Sequence, residues 1–305
     1  MLASIIPVFL ILLLGVAIRR YGWMPADFFP SIEKFSYNIA FPAMLFAGTA
    51  RLSFHGSQVG ELALATLLPT FLIVVLTLAS LLLMPTLPGA SRSSVMQGAM
   101  RPNTYFGLAV AALVFDAKTA SLVMLALALC LPVVNALSVI ALAWWSGSKP
   151  NLATVGRTLA RNPIIQATLA GVIVSLLDIA LPTALMNTLD ILGKSATALG
   201  LLCVGGGLVF SLEGARPGAL AVSSVLKLLA MPLLAAQVCL LAGVAPEVAL
   251  AACFYCALPT APNAYIMARQ LGGDTRLMAS LITLQTLLAL VTVPLSRLFM
   301  PALGA

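Results

Sequence analysis

The chain has 305 residues, of which 61% are hydrophobic and only 8% charged, with a formal net charge of +7. Soluble domains carry about 25% charged residues, so this composition excludes an ordinary water-soluble fold and points to an all-α integral membrane protein. The cations are scattered singly, without a basic run interleaved with aromatics, and nucleic-acid binding is excluded on that pattern.

Ten apolar segments follow one another, at 2–18, 30–50, 61–84, 94–115, 119–145, 163–181, 183–210, 218–243, 247–270 and 276–299. Each approaches the roughly 20 residues that a helix needs to cross the hydrocarbon layer. The first is read as a span and not as a cleavable leader, because its basic pair, Arg19 and Arg20, follows the apolar run. The one sizeable break, from Ser146 to Pro163, divides the chain into residues 1–145, a linker over 146–162, and residues 163–305.

Loop charge sets the orientation. With the N-terminus outside, the cytoplasmic loops hold Arg19, Arg20, Arg92, Lys149, Arg157, Arg161, Arg216, Arg269 and Arg276, against Arg51, Lys118 and Arg297 on the other face. That bias places both termini on the extracytoplasmic side of a cell inner membrane.

The fourth segment contains RPNTY, Arg101 to Tyr105, and the ninth contains APNAY, Ala261 to Tyr265. Other landmarks recur in the same order: Pro69 and Pro232 before the motifs, then Asp116 and Asp274, then Pro132 and Pro294. A repeat of five spans re-enters the membrane upside down, so the halves form two inverted repeats of five, an arrangement common among secondary transporters.

Proline removes a backbone donor and turns the preceding residue from helical geometry, so spans four and nine are expected to be interrupted helices. Broken backbone at membrane depth is tolerated where it lines a polar cavity. Pro102 and Pro262 can each begin a second half-helix, whose free N–H groups and partial positive charge attract anions. Asn103 and Asn263 add side-chain amides, and Thr104, Tyr105 and Tyr265 complete the two motifs. Arg101 has Ala261 as its counterpart, and its planar fork suits a carboxylate. The expected grip is therefore a substrate carboxylate held by Arg101, the half-helix start and Asn103, unless Arg101 lies shallow and snorkels to the cytoplasmic edge.

Other polar residues within the spans are weighed the same way. Asp190 and Lys194 stand four apart and can pair along one helix face, or Lys194 can serve as a second charge for a dicarboxylate. Lys227 has no acidic partner in its own segment, and Gln285, Thr283, Thr286 and Asn135 read as interhelical hydrogen-bonding groups. Gly205, Gly206 and Gly207 read as close-packing residues. The five cysteines all fall in spans, and the pair Cys253 and Cys256 lacks the second pair or histidine that a metal site needs, so they read as buried thiols. His55, the chain's one histidine, falls in a loop.

RPNTYFGLAV, NIAFPAMLF (Asn38 to Phe46), LPTAPNAYIMARQLGGD and TLQTLLALVTVP resemble the auxin efflux carrier family, which includes plant PIN exporters and bacterial malate or malonate permeases. The resemblance implies ten helices in inverted repeats, with spans four and nine crossing at their prolines and substrate bound at the crossing. It adds Asn38 and Pro42 to the candidate site, beside Arg101, Pro102, Asn103, Thr104, Tyr105, Pro262, Asn263, Tyr265, Lys194 and Gln285. The third span lacks the interior charges of plant members, and the central loop is short, which fits the bacterial branch.

The expected function is secondary transport of small organic anions, malate- or malonate-like, by alternating access at the crossing of helices 4 and 9. A non-transporting, membrane-embedded ligand sensor of the same fold is the alternative. Partners are the organic anion, the lipid bilayer and, through the resemblance, a second copy in a homodimer. No cofactor is implied; proton and sodium coupling stay open as alternatives.

Overall fold

The computed structural model describes residues 2–51, 56–146, 160–209 and 216–296. Among the described residues the protein is all helical, without a strand. The segment between Ser146 and Pro163 lies largely outside them, as do His55, Lys149, Arg157 and Arg297.

In chain order the helices are α1 (Leu2–Tyr21), α2 (Phe28–Phe35), α3 (Phe41–Ala50), α4 (Gly56–Leu82), α5 (Gly89–Met100), α6 (Thr104–Val114) and α7 (Ala117–Ser146). The second half continues with α8 (Pro163–Leu176), α9 (Thr183–Gly206), α10 (Pro217–Val225), α11 (Met231–Ala242), α12 (Pro246–Ala257), α13 (Asn263–Leu271) and α14 (Thr275–Ser296). Among the described residues five stretches are long and apolar enough to cross a bilayer: Gln58–Leu82, Ala117–Trp145, Thr183–Gly206, Pro217–Ala242 and Thr275–Leu295. Pro163–Leu176 and Pro246–Ala257 are shorter apolar helices.

Two pairs of helices are joined through a wide π-turn instead of a break. Ser36–Ala40 links α2 to α3, and Leu226–Ala230 links α10 to α11. A proline stands just beyond each, Pro42 and Pro232. Its ring crowds the carbonyl one turn back, and widening the turn relieves that contact without ending the helix. Helices α11 and α13 end on Gly243 and Gly272, both left-handed, which closes the last turn on conformations that other residues adopt only with strain.

The helices pack in two sets, each drawn from both halves of the chain. Helices α1, α2–α3, α8 and α9 pack mainly on one another. Helices α4, α5–α6, α7, α10–α11, α12–α13 and α14 form the second set, and α6 and α7 provide most of its contact with the first. Glycines bring the helices of the first set close together. A Cβ on Gly205 would strike the Leu12 carbonyl, one on Gly15 the Leu202 carbonyl, and one on Gly171 the Thr49 hydroxyl and Phe46 carbonyl. Close-packing by small residues, expected for the 205–207 run, holds at Gly205 and at Gly206, which faces the Phe29 ring.

Two aspartates at chain turns cap helices. Asp116 Oδ2 accepts from Lys118 N at 3.1 Å, and Asp274 Oδ1 from Leu277 N at 3.0 Å, so the equivalent acids begin α7 and α14 alike. The pairing of Asp190 with Lys194 does not occur. Arg51 at the end of α3 takes both Asp190 oxygens instead, at 2.8 and 2.6 Å. The planar guanidinium offers two parallel donors, a better match to a carboxylate than an ammonium one helical turn away. Lys194 is left exposed.

Candidate site at two helix breaks

Two helices are interrupted where the proline–asparagine pairs stand. The first break covers 101–103, between α5 and α6, and the second covers 258–262, between α12 and α13. The breaks touch: Asn103 N donates to the Pro259 carbonyl at 2.7 Å, which satisfies one of the backbone groups that a broken helix exposes.

The prolines do not themselves start the new helices. Asn103 is the cap of α6, its Oδ1 accepting from Phe106 N at 3.1 Å, so the helix begins at Thr104. Pro262 is the cap residue of α13, which begins at Asn263. The side-chain cap outweighs the simple preference for proline at the first helical position, because it satisfies a donor that would otherwise be orphaned.

Gln285 on α14 stitches the breaks from behind. Its Oε1 accepts from Thr260 N at 3.1 Å, and its Nε2 donates to the Gly98 carbonyl at 3.1 Å. Thr260 Oγ1 lies 2.7 Å from the same Oε1 and 2.6 Å from Gly98 O, so its single proton serves one of them. Gln285 is fully buried and does not border the cavity.

A cavity of about 30 Å3, room for a water or two, opens beside the breaks. Its wall takes Asn103, Thr104 and Tyr105 from the first break, and Ala261, Pro262 and Asn263 from the second. Leu131 and Asn135 come from α7, Tyr37 from the π-turn after α2, and Asn162 and Ile164 from the start of α8. The wall is thus shared between the two packing sets. Tyr105 stacks on Phe41 with ring centroids 4.7 Å apart, a contact that again joins one set to the other.

Arg101 is 2% exposed and stands behind this wall instead of on it. Its Nη2 donates to Asn135 Oδ1 at 2.9 Å and to Asn263 Oδ1 at 3.1 Å, while Nη1 lies 2.6 Å from Met267 Sδ. Arg101 Nε and Asn103 Nδ2 are buried donors without a partner. Snorkelling to an edge does not occur; direct exposure to the cavity does not either.

The structure therefore gathers Pro102, Asn103, Thr104, Tyr105, Pro262 and Asn263 at the breaks, with Arg101 and Gln285 supporting them. It leaves the others apart. Asn38 is exposed, its Nδ2 donating to the Lys34 carbonyl at 2.7 Å, and Tyr265 and Lys194 are also exposed. Pro42 serves the helix, just beyond the π-turn, and does not border the cavity. Lys227 is fully buried in the other π-turn, its Nζ 3.1 Å from Met231 Sδ, and is likewise off the wall.

Sequence reasoning missed Tyr37 and Asn162, and read Asn135 only as an interhelical contact. Asn162 carries a legible signal, since asparagine followed by proline at 162–163 is a capping residue before a proline at the first helical position, the reverse order of the pairs at the breaks. Its Oδ1 accepts from Ile164 N at 3.0 Å and from Ile165 N at 3.4 Å. The cysteines are free thiols, four of them buried, and no cluster of metal-ligating residues occurs among the described residues.

A family model described as membrane transport protein matches residues 149–297. No curated protein matches the chain.

Proposed function

We propose that this chain, whose second half matches a family model of membrane transport proteins and which resembles the auxin efflux carriers, moves small organic anions across the bilayer. The proposed frame is ten spans in two inverted repeats of five, residues 1–145 and 163–305, with both termini outside the inner membrane. Spans four and nine are the broken pairs α5–α6 and α12–α13.

The observation that carries the reading is the cavity where those breaks meet, into whose wall the NH2 of Asn103 is built without a partner. A buried donor left unpaired costs free energy, about 1–3 kcal/mol, and a carboxylate oxygen recovers it. The N-terminus of α6 adds partial positive charge, and Arg101 adds a full one from behind. Among the described residues no carboxylate borders the cavity. A malonate- or malate-like dicarboxylate is the proposed substrate.

Alternating access follows from how the wall is divided. Tyr37, Asn162 and Ile164 belong to the set of α1, α2–α3, α8 and α9, and the remaining wall residues belong to the other set. Sliding one set against the other opens the cavity and dismantles it in the same movement. At about 30 Å3 the space has no room for a dicarboxylate, so the two sets must part to load one.

Uptake of labelled malonate into proteoliposomes tests the reading. Wild type should accumulate it and Arg101→Ala should lose most of that uptake while remaining folded. Unchanged uptake in the variant removes Arg101 from the mechanism. Saturable malonate binding without any flux would favour the sensor.

A further inference from the structure

Among the described residues four asparagines border the cavity: Asn103, Asn135, Asn162 and Asn263. An asparagine amide has an accepting end and a donating end, and its neighbours decide which one faces inward. In all four the oxygen is occupied by a group that can only donate. Asn103 Oδ1 takes Phe106 N, and Asn162 Oδ1 takes Ile164 N and Ile165 N. Asn135 Oδ1 and Asn263 Oδ1 take the same Arg101 nitrogen, at 2.9 and 3.1 Å. Neither a backbone N–H nor a guanidinium can accept a hydrogen bond, so none of these amides can turn over without setting donor against donor.

We infer that Asn135 and Asn162 join the asparagines already expected to bind substrate at the crossing, Asn103 and Asn263, in a cage of amide donors for a carboxylate, and that Arg101 is the positioning residue that turns Asn135 and Asn263 donor-side inward. The inference rests on the anion-carrier reading above and gives it a selectivity rule. Ionised carboxylate oxygens only accept, so the cage suits them. A neutral amide of the same shape brings N–H groups of its own, which meet donors and find too few acceptors. The two capping asparagines sit at helix starts, where the backbone dipole also favours negative charge.

The physical advantage is release. A guanidinium bound directly to a carboxylate in a dry site makes a strong bidentate pair, whereas a carrier must let go on the other side. Neutral amides hold the anion by hydrogen bonds, and the charge of Arg101 acts through them from behind the wall. Asn162 stands on the other packing set from its three partners, so the cage is complete only while the two sets are packed as they are here.

Asn103→Asp and Asn162→Asp separate structure from recognition. Aspartate caps a helix as well as asparagine does, so both variants should keep their helix starts and fold, which thermal unfolding checks. Each replaces an inward NH2 with an oxygen, and malonate affinity measured by calorimetry on purified protein should fall about tenfold or more. Wild type should bind malonate well and malonamide poorly. Arg101→Met frees two amides and should erase most of that preference, while Arg101→Lys, still a pure donor, should restore part of it. Malonate affinity unchanged in both aspartate variants overturns the cage, as does wild type binding malonamide as tightly as malonate. Should wild type bind neither compound, the carrier reading falls and this inference with it; malonate transport without the selectivity sinks only the inference.

Discussion

Buried and exposed polar residues in this protein differ in how much they hold together. Gln285 is enclosed, and Thr260 N at the second break depends on its Oε1, while its Nε2 adds to the Gly98 carbonyl a donor besides the Thr260 hydroxyl. Gln285→Leu keeps the side-chain bulk but strands Thr260 N, at about 1–3 kcal/mol, and leaves the Thr260 hydroxyl and the Gly98 carbonyl with only each other. Arg51 and Asp190 make a geometrically better bond, yet their side chains are 50% and 35% exposed. An exposed ion pair contributes about 0–1 kcal/mol and fades with salt. Gln285→Leu should therefore lower the melting temperature in detergent clearly more than Arg51→Ala. An equal drop in the two would mean that the breaks do not depend on that glutamine.

Between elements, the controlling variable is how closely two helices approach. Where α1 meets α9, Gly15 and Gly205 leave no room for a side chain, since a Cβ on either would meet the partner's backbone carbonyl. A backbone atom cannot rotate aside as a side chain can, so Gly205→Val has to push the helices apart. It should abolish the folded protein or lower its melting temperature sharply. Gly60 on α4 makes the opposite case, with open space where its Cβ would stand. Gly60→Ala should stabilise by about 0.4–1 kcal/mol through the unfolded chain alone. Comparing both variants by thermal unfolding checks the argument, and a Gly205→Val protein as stable as wild type would refute it.

For the molecule as a whole, the two packing sets matter more than the two halves of the sequence. Contacts run most densely within each set, and the cavity lies on the seam between them. Phe9 of α1 and Phe106 of α6 face each other across that seam, with ring centroids 6.2 Å apart. Cysteines placed at both positions, in a chain whose five native cysteines have been replaced, could be bridged by a short bifunctional thiol reagent. If transport needs the sets to slide, cross-linking should stop malonate uptake while each single-cysteine variant treated alike keeps it. Undiminished uptake in the bridged protein would exclude sliding along this seam.

Composition, proline positions and Pro-Asn pairs were enough to foresee an all-helical membrane protein, the two helix breaks, and the residues nearest to them. These follow from rules that act over one or two turns: a run of apolar side chains, a missing backbone donor, a side chain that caps. The tertiary structure alone decided the rest. It set Asp190 against Arg51, 139 residues away, and not against Lys194 on its own helix. It brought Asn162 to a cavity whose nearest motif is some sixty residues earlier, moved Arg101 off the wall, and turned each amide to face a particular donor. Spacing along a helix reports which side chains share a face, but a hydrogen bond between helices depends on where packing sets their axes, and no local pattern in the chain encodes that distance.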